Sequence, residues 1–164
     1  MGQYYKVFNK TKKEYLSPHT FGNGMKLMEF TSDGRGMLQG LSLLLANGNG
    51  RGGGDHPSES EIIGRWSGDN ITIDGDYADD TLWDKLNKDG ENYEKGWKDI
   101  SKDVYRVLLQ DSWIGKEMEE RLKKDGDRFL YGEELELMQE LFPTAIHEGN
   151  LRQKFDFVEK SLKS

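Results

Sequence analysis

Asp55 and His56 are the residues best suited to acid–base chemistry in this chain of 164 residues. An imidazole can act as a general base near neutrality, and a carboxylate can orient it. Sequence neighbours seldom face one another, so the pair needs partners from elsewhere in the chain. The plainer role of Asp55 is that of a turn or cap residue ahead of Pro57. His19 and His147, the other histidines, form no two-histidine helical motif, and no histidine zinc site is expected. Just before the pair, Gly48, Gly50, Gly52, Gly53 and Gly54 surround Arg51. Glycines allow several backbone N–H groups to face one anion, as phosphate-binding loops require. The Lys-Ser/Thr of a P-loop is missing here, as is the strand–turn–helix setting of a dinucleotide fingerprint. The same run reads as a mobile surface loop, or as a loop that orders on a partner with Arg51 as anchor.

Asp74, Asp76, Asp79 and Asp80 form an acidic cluster whose oxygens suit a hard cation. Asp74 and Asp76 would share one face of a strand. A strand end running into a helix N-terminus explains the same residues without a metal. Lys123–Leu135 (KKDGDRFLYGEEL) partly matches a calcium loop. With Leu130 at the apolar eighth position, Asp125, Asp127 and Glu134 fall at the third, fifth and twelfth. Lys123 and Arg128 occupy the first-carboxylate and turn-glycine positions, so a helical hairpin with an Asp-Gly turn is expected rather than calcium binding. No cofactor is called for. Trp66, Trp83, Trp97 and Trp113 are many for this length. Most belong in a core, but Trp66 and Tyr77 join Gly50, Arg51, Gly52, Gly53 and Gly54 as candidate partner contacts, because Trp, Tyr and Arg concentrate binding energy.

The elements that must position these residues follow from periodicity. Gln3–Leu16 predicts strand, turn and strand, with Asn9–Lys13 as the turn and Pro18 as the close. Met25–Phe30 predicts a short helix between loops at Phe21–Gly24 and Ser32–Gly36. Met37–Ala46 predicts a helix with Met37, Leu41, Leu44 and Leu45 on its apolar stripe. Asn47–Ser60 has fourteen residues, five of them glycine, and no apolar anchor. Loops of that length are uncommon and usually functional or disordered. Glu61–Ser67 and Asn70–Tyr77 predict strands separated by Gly68–Asp69. Helices are then expected over Thr81–Lys88 (capped by Asp80 or Thr81), through Trp97, Ile100, Val104, Val107 and Leu108, over Ile114–Lys124, over Glu133–Phe142 with Leu135, Met138, Leu141 and Phe142 apolar, and through Leu151, Phe155, Val158 and Leu162. The fold class is therefore α+β. A small antiparallel sheet from the N-terminal half packs with a helical C-terminal half, in one domain with sub-regions 1–80 and 81–164.

Bulk composition excludes several classes. Residues 1–75 carry eight acidic and eight basic side chains, and residues 76–164 carry 22 acidic and 15 basic, so the net charge of −7 lies in the back half. Such a balance argues against direct nucleic-acid binding. No apolar run is long enough to span a membrane, no secretory signal is recognisable, and the absence of cysteine fits the cytoplasm.

Four short motifs resemble a family of small bacterial and phage proteins. They are Met1–Tyr5 (MGQYY), Phe21–Glu29 (FGNGMKLME), Gly64–Asp69 (GRWSGD) and Gly75–Asp79 (GDYAD). The resemblance covers roughly residues 1–80. It implies a soluble intracellular protein of phage or mobile-element type and supplies no activity. Together these features suggest a non-enzymatic interaction protein that binds and inhibits a host protein, such as a nucleic-acid-handling or defence protein whose basic groove an acidic surface could occupy. The alternative is a ligand-binding protein or small hydrolase acting on a phosphate-bearing molecule. It would use Arg51 and the loop amides for the anion, His56 as base, and Asp76 or Asp79 for a cation.

Overall fold

The structure, a computed structural model, describes residues 2–32, 36–87, 96–110, 112–126, 130 and 132–145. The fold is α+β. Aromatic and β-branched residues place β1 at Tyr5–Asn9 and β2 at Glu14–Leu16. The turn between them closes where Asn9 Oδ1 accepts from the Lys12 N–H at 2.9 Å. β3 (Ile71–Gly75) pairs antiparallel with the other side of β1, and β4 (Lys98–Asp99) pairs parallel with β2, so the sheet order is β3-β1-β2-β4.

The sheet separates two apolar clusters, because alternate side chains leave opposite faces. Val7 and Leu16 enter the larger cluster with Phe21, Leu44, Trp66, Val104, Leu108 and Met138. Phe8 and Tyr15 enter the smaller one with Leu82, Leu86 and Trp97. The buried Lys6 also lies on that second face, with its ammonium 4.5 Å from the centre of the Trp83 ring, an arrangement that offsets its desolvation. The larger cluster draws on residues from Val7 to Ala145, so the front and back of the chain share one core.

Helices α1 (Leu27–Ser32), α2 (Met37–Leu45), α3 (Trp83–Asn87), α4 (Ser101–Leu109), α5 (Trp113–Asp125) and α6 (Gly132–Leu141) follow, with a 3₁₀ turn at Pro18–Phe21. Asn23 Oδ1 caps α2 by accepting from the Met37 N–H at 2.8 Å. Ser112 caps α5 by accepting from the Gly115 N–H at 3.1 Å. On α2, Gly40 rather than Leu45 faces the core. Phe21 and Val104 press against it, and Leu45 is exposed.

Two expected elements take other forms. Residues 61–67 make turns instead of a strand. The N–H groups of Gly64 and Trp66 donate to the Leu43 and Leu44 carbonyls at 2.8 Å each, satisfying the orphan acceptors at the end of α2. The helix expected from Trp97 begins only at Ser101, because Lys98–Asp99 joins the sheet first. Trp97 instead meets Phe8 edge-on at 5.7 Å. Asp99 then caps α4, its Oδ1 accepting from the Ser101 N–H at 2.9 Å. On α6, Leu137 and Met138 are fully buried and Leu135 only half-buried, so the apolar face is rotated from the expected one. The expected helix through Leu151–Leu162 lies outside the described residues, as do Asp89–Gly90.

Candidate functional site

The glycine loop closes on itself. Asp55 Oδ2 accepts from the backbone N–H of Gly50 at 2.9 Å and of Arg51 at 2.8 Å. These N–H groups hold the Asp55 carboxyl below its usual range. The anion cradle that the glycines make possible is thus filled by the loop's own carboxylate. Gly50, Gly52 and Gly53 all have positive φ, which glycine adopts without strain, and all five loop glycines face open space. Asn49 closes the neck. Its side-chain amide donates to the His56 carbonyl at 2.9 Å and accepts from the His56 N–H at 2.8 Å.

His56 is the anchor that the sequence of the loop does not announce. Its side chain is buried, with Nδ1 accepting from the Ser58 N–H at 3.1 Å. That bond places the ring proton on Nε2, which donates to the Leu108 carbonyl at 3.3 Å. Both ring nitrogens are occupied, so His56 holds the loop to the end of α4 and has no lone pair for a substrate proton. Asp55 and His56 do not form a catalytic pair, since the carboxylate turns toward Gly50 and the ring toward Leu108. The loop walls an open depression of ≈ 590 Å³ whose lining is mostly polar.

The acidic cluster is likewise dispersed. Asp74 Oδ2 accepts from the Leu82 N–H at 3.0 Å, and Asp76 Oδ1 from the Tyr4 N–H at 3.0 Å. Asp79 and Asp80 are exposed. Among the described residues no three His, Asp or Glu side chains converge as a metal site. Asp125 ends α5 and Glu134 sits inside α6, while Asp127 and Arg128 lie outside the described residues.

Trp66 offers no surface to a partner, being 0% exposed. Its indole N–H donates to Glu14 Oε1 at 2.9 Å, and Arg65 clamps the same carboxylate through Nε at 3.0 Å and Nη2 at 2.8 Å. Burial pushes Glu14 up, but these donors and the guanidinium charge outweigh it and hold the carboxyl below the usual range. Tyr77, at 69% exposed, and the exposed Arg51 do face solvent.

A second site is assembled from residues far apart in the sequence. A cavity of ≈ 310 Å³ lies among the 3₁₀ turn, the end of α4, α5 and the start of α6. Glu134, only 6% exposed, lines it, with Oε1 3.5 Å from the Tyr105 hydroxyl. Burial pushes the Glu134 carboxyl up to about 7, against the pull of Arg121 and of the Tyr105 hydrogen bond. Gly22 makes room, since a Cβ there would stand 2.7 Å from Glu134 Oε2. One signal was legible. Glu134, Leu137, Met138 and Leu141 have the i, i+3, i+4, i+7 spacing of a buried helix face, so Glu134 interrupts an apolar stripe.

The fold and these two sites define a class no narrower than an α+β protein with a built loop and a charged cavity. Comparison of the chain with protein-family models, curated proteins and solved structures gives no match.

Proposed function

We propose that the protein is a non-enzymatic interaction protein of the kind carried by phages and mobile elements, which binds and inhibits a host protein. A nucleic-acid-handling or defence protein suits its acidic back half. The supporting observation is the self-satisfied glycine loop. Asp55 fills the anion cradle and His56 is tied at both nitrogens, so the loop lacks the free base and open anion site that a phosphate hydrolase needs. What it presents is exposed backbone around Arg51, already folded, which lowers the ordering cost of binding a partner. Exposed Tyr77 is a further anchor of the type that concentrates binding energy.

The test is affinity capture from host lysate with the wild-type chain and with an Arg51→Ala, Tyr77→Ala double variant. A stoichiometric partner that the double variant loses is the expected result. Recovery of no stoichiometric partner, or turnover of a phosphate ester by the purified protein, would overturn the reading.

A further inference from the structure

The cavity beside Glu134 combines features that the glycine loop lacks. Its volume, ≈ 310 Å³, lies at the lower end of small-molecule sites, about 300–1,000 Å³. Phe21, Leu109, Ile114 and Met118 supply apolar wall, and Glu117, Glu134 and Arg121 supply charge. Glu134 is more than nine-tenths buried, yet the 3.5 Å contact with Tyr105 is its one hydrogen bond among the described residues. A carboxylate so placed is under-solvated and gains most from a cation brought to it. α4 ends at Leu109 in the cavity wall, and the negative end of a helix dipole also favours a cation.

We propose that this cavity is a binding site for a small organic ammonium ion, a primary amine on an apolar body, received by the Glu134 and Glu117 carboxylates. The apolar body rests on Phe21, Ile114 and Met118. Free amines and free amino acids share this chemistry, and exposed Arg121 is the residue that tells them apart, since it can pair with the carboxylate of an amino acid. The site is independent of the protein-partner reading and stands or falls without it.

Among the described residues the charged and titratable groups facing Glu134 are Tyr105 from α4 and Glu117 and Arg121 from α5; His19 on the 3₁₀ turn lies outside the cavity lining. Ammonium binding requires the ionised Glu134, and burial holds that group up to about 7. Affinity is therefore expected to rise with pH through neutrality and to fall by about tenfold per unit below it.

The experiment is calorimetric titration of the full chain with 2-phenylethylamine, phenylalanine and 3-phenylpropionate at about pH 8 and about pH 6. Heat from an ammonium probe and none from phenylpropionate is expected, with at least about tenfold weaker binding in Glu134→Gln. Arg121→Gln should weaken phenylalanine alone if amino acids are the ligand class, and should spare both probes if simple amines are. No heat from either ammonium probe at about millimolar concentration overturns the proposal, as does unchanged affinity in Glu134→Gln. Should that variant fail to fold, Ile114→Trp fills the cavity from α5. Loss of binding then supports the site, and retained binding overturns it.

Discussion

The glycine loop and the Glu134 cavity are opposite kinds of site. The loop gathers its residues within fourteen positions of sequence, and its polar groups answer one another: Asp55 with the Gly50 and Arg51 amides, Asn49 with the His56 backbone, His56 with Ser58 and Leu108. The cavity collects Phe21, Tyr105, Arg121 and Glu134 from four separate elements and leaves its buried carboxylate poorly answered. A conspicuous local pattern thus produced structure, and a dispersed set produced unmet electrostatic demand. The two meet at one helix end, since His56 bonds to Leu108 and the neighbouring Leu109 walls the cavity.

The largest expected effect breaks the core beside the end of α2, where the Trp66 N–H donates to the Leu44 carbonyl. Trp66→Ala should cost roughly 3–5 kcal/mol in urea denaturation, through the cavity it opens and the Glu14 acceptor it abandons. Trp66→Phe, which keeps most of the volume and loses the indole donor, should cost about 1–2 kcal/mol.

Glu134→Gln sharpens the contrast from the other side. Glu134 titrates near 4.5 when unfolded and at about 7 when folded, so the folded state binds the extra proton between those values. Stability contributed by this group is lost as pH rises through that window, the reverse of an ion-paired carboxylate. The glutamine variant has no charge to bury. It should be more stable than wild type by about 3 kcal/mol near pH 8, and the two should converge only below about pH 4. Denaturation midpoints across pH check this, and a glutamine variant that is less stable at the alkaline end refutes it.

His56→Ala should cost about 1–2 kcal/mol, because it orphans the Ser58 N–H and frees the loop from α4. A variant with unchanged stability and no loss of amide protection in the loop would show that His56 is not the anchor. The smallest effects distinguish backbone demand from space within the loop. Gly52→Ala, at φ +83°, should cost about 1 kcal/mol, whereas Gly54→Ala and Arg51→Ala should stay within about 0.5 kcal/mol. Arg51→Ala should nonetheless weaken partner capture.

Much of the framework was legible. The β1–β2 hairpin, β3, α2 and α5 come from strong local signals: alternation around a polar turn, a Met37–Leu44 stripe, and a helical Ile114–Lys124 run ahead of an Asp-Gly stop. The failures share a physical cause. Ile62, Ile63 and Trp66 favour a strand locally, but their segment's N–H groups were required by the last carbonyls of α2. Lys98–Asp99 continue a helical period, but β2 offered an open edge. In both cases a long-range backbone acceptor outweighed a short-range preference. His56 looked like a base because residue type reveals the capacity to bond a proton, not which lone pairs neighbours will take.

The sequence alone therefore determined the α+β class, the placement of charge in the back half, and the existence of the glycine loop. These depend on periodicity, composition and backbone freedom, all local quantities. Tertiary structure alone decided that the loop's anion cradle holds its own Asp55, that Trp66 belongs to the core, and that Glu134 faces a charged cavity with Arg121 and Tyr105. Each of those outcomes depends on which groups lose water together, and desolvation is set by residues far apart in the chain that packing brings to one place.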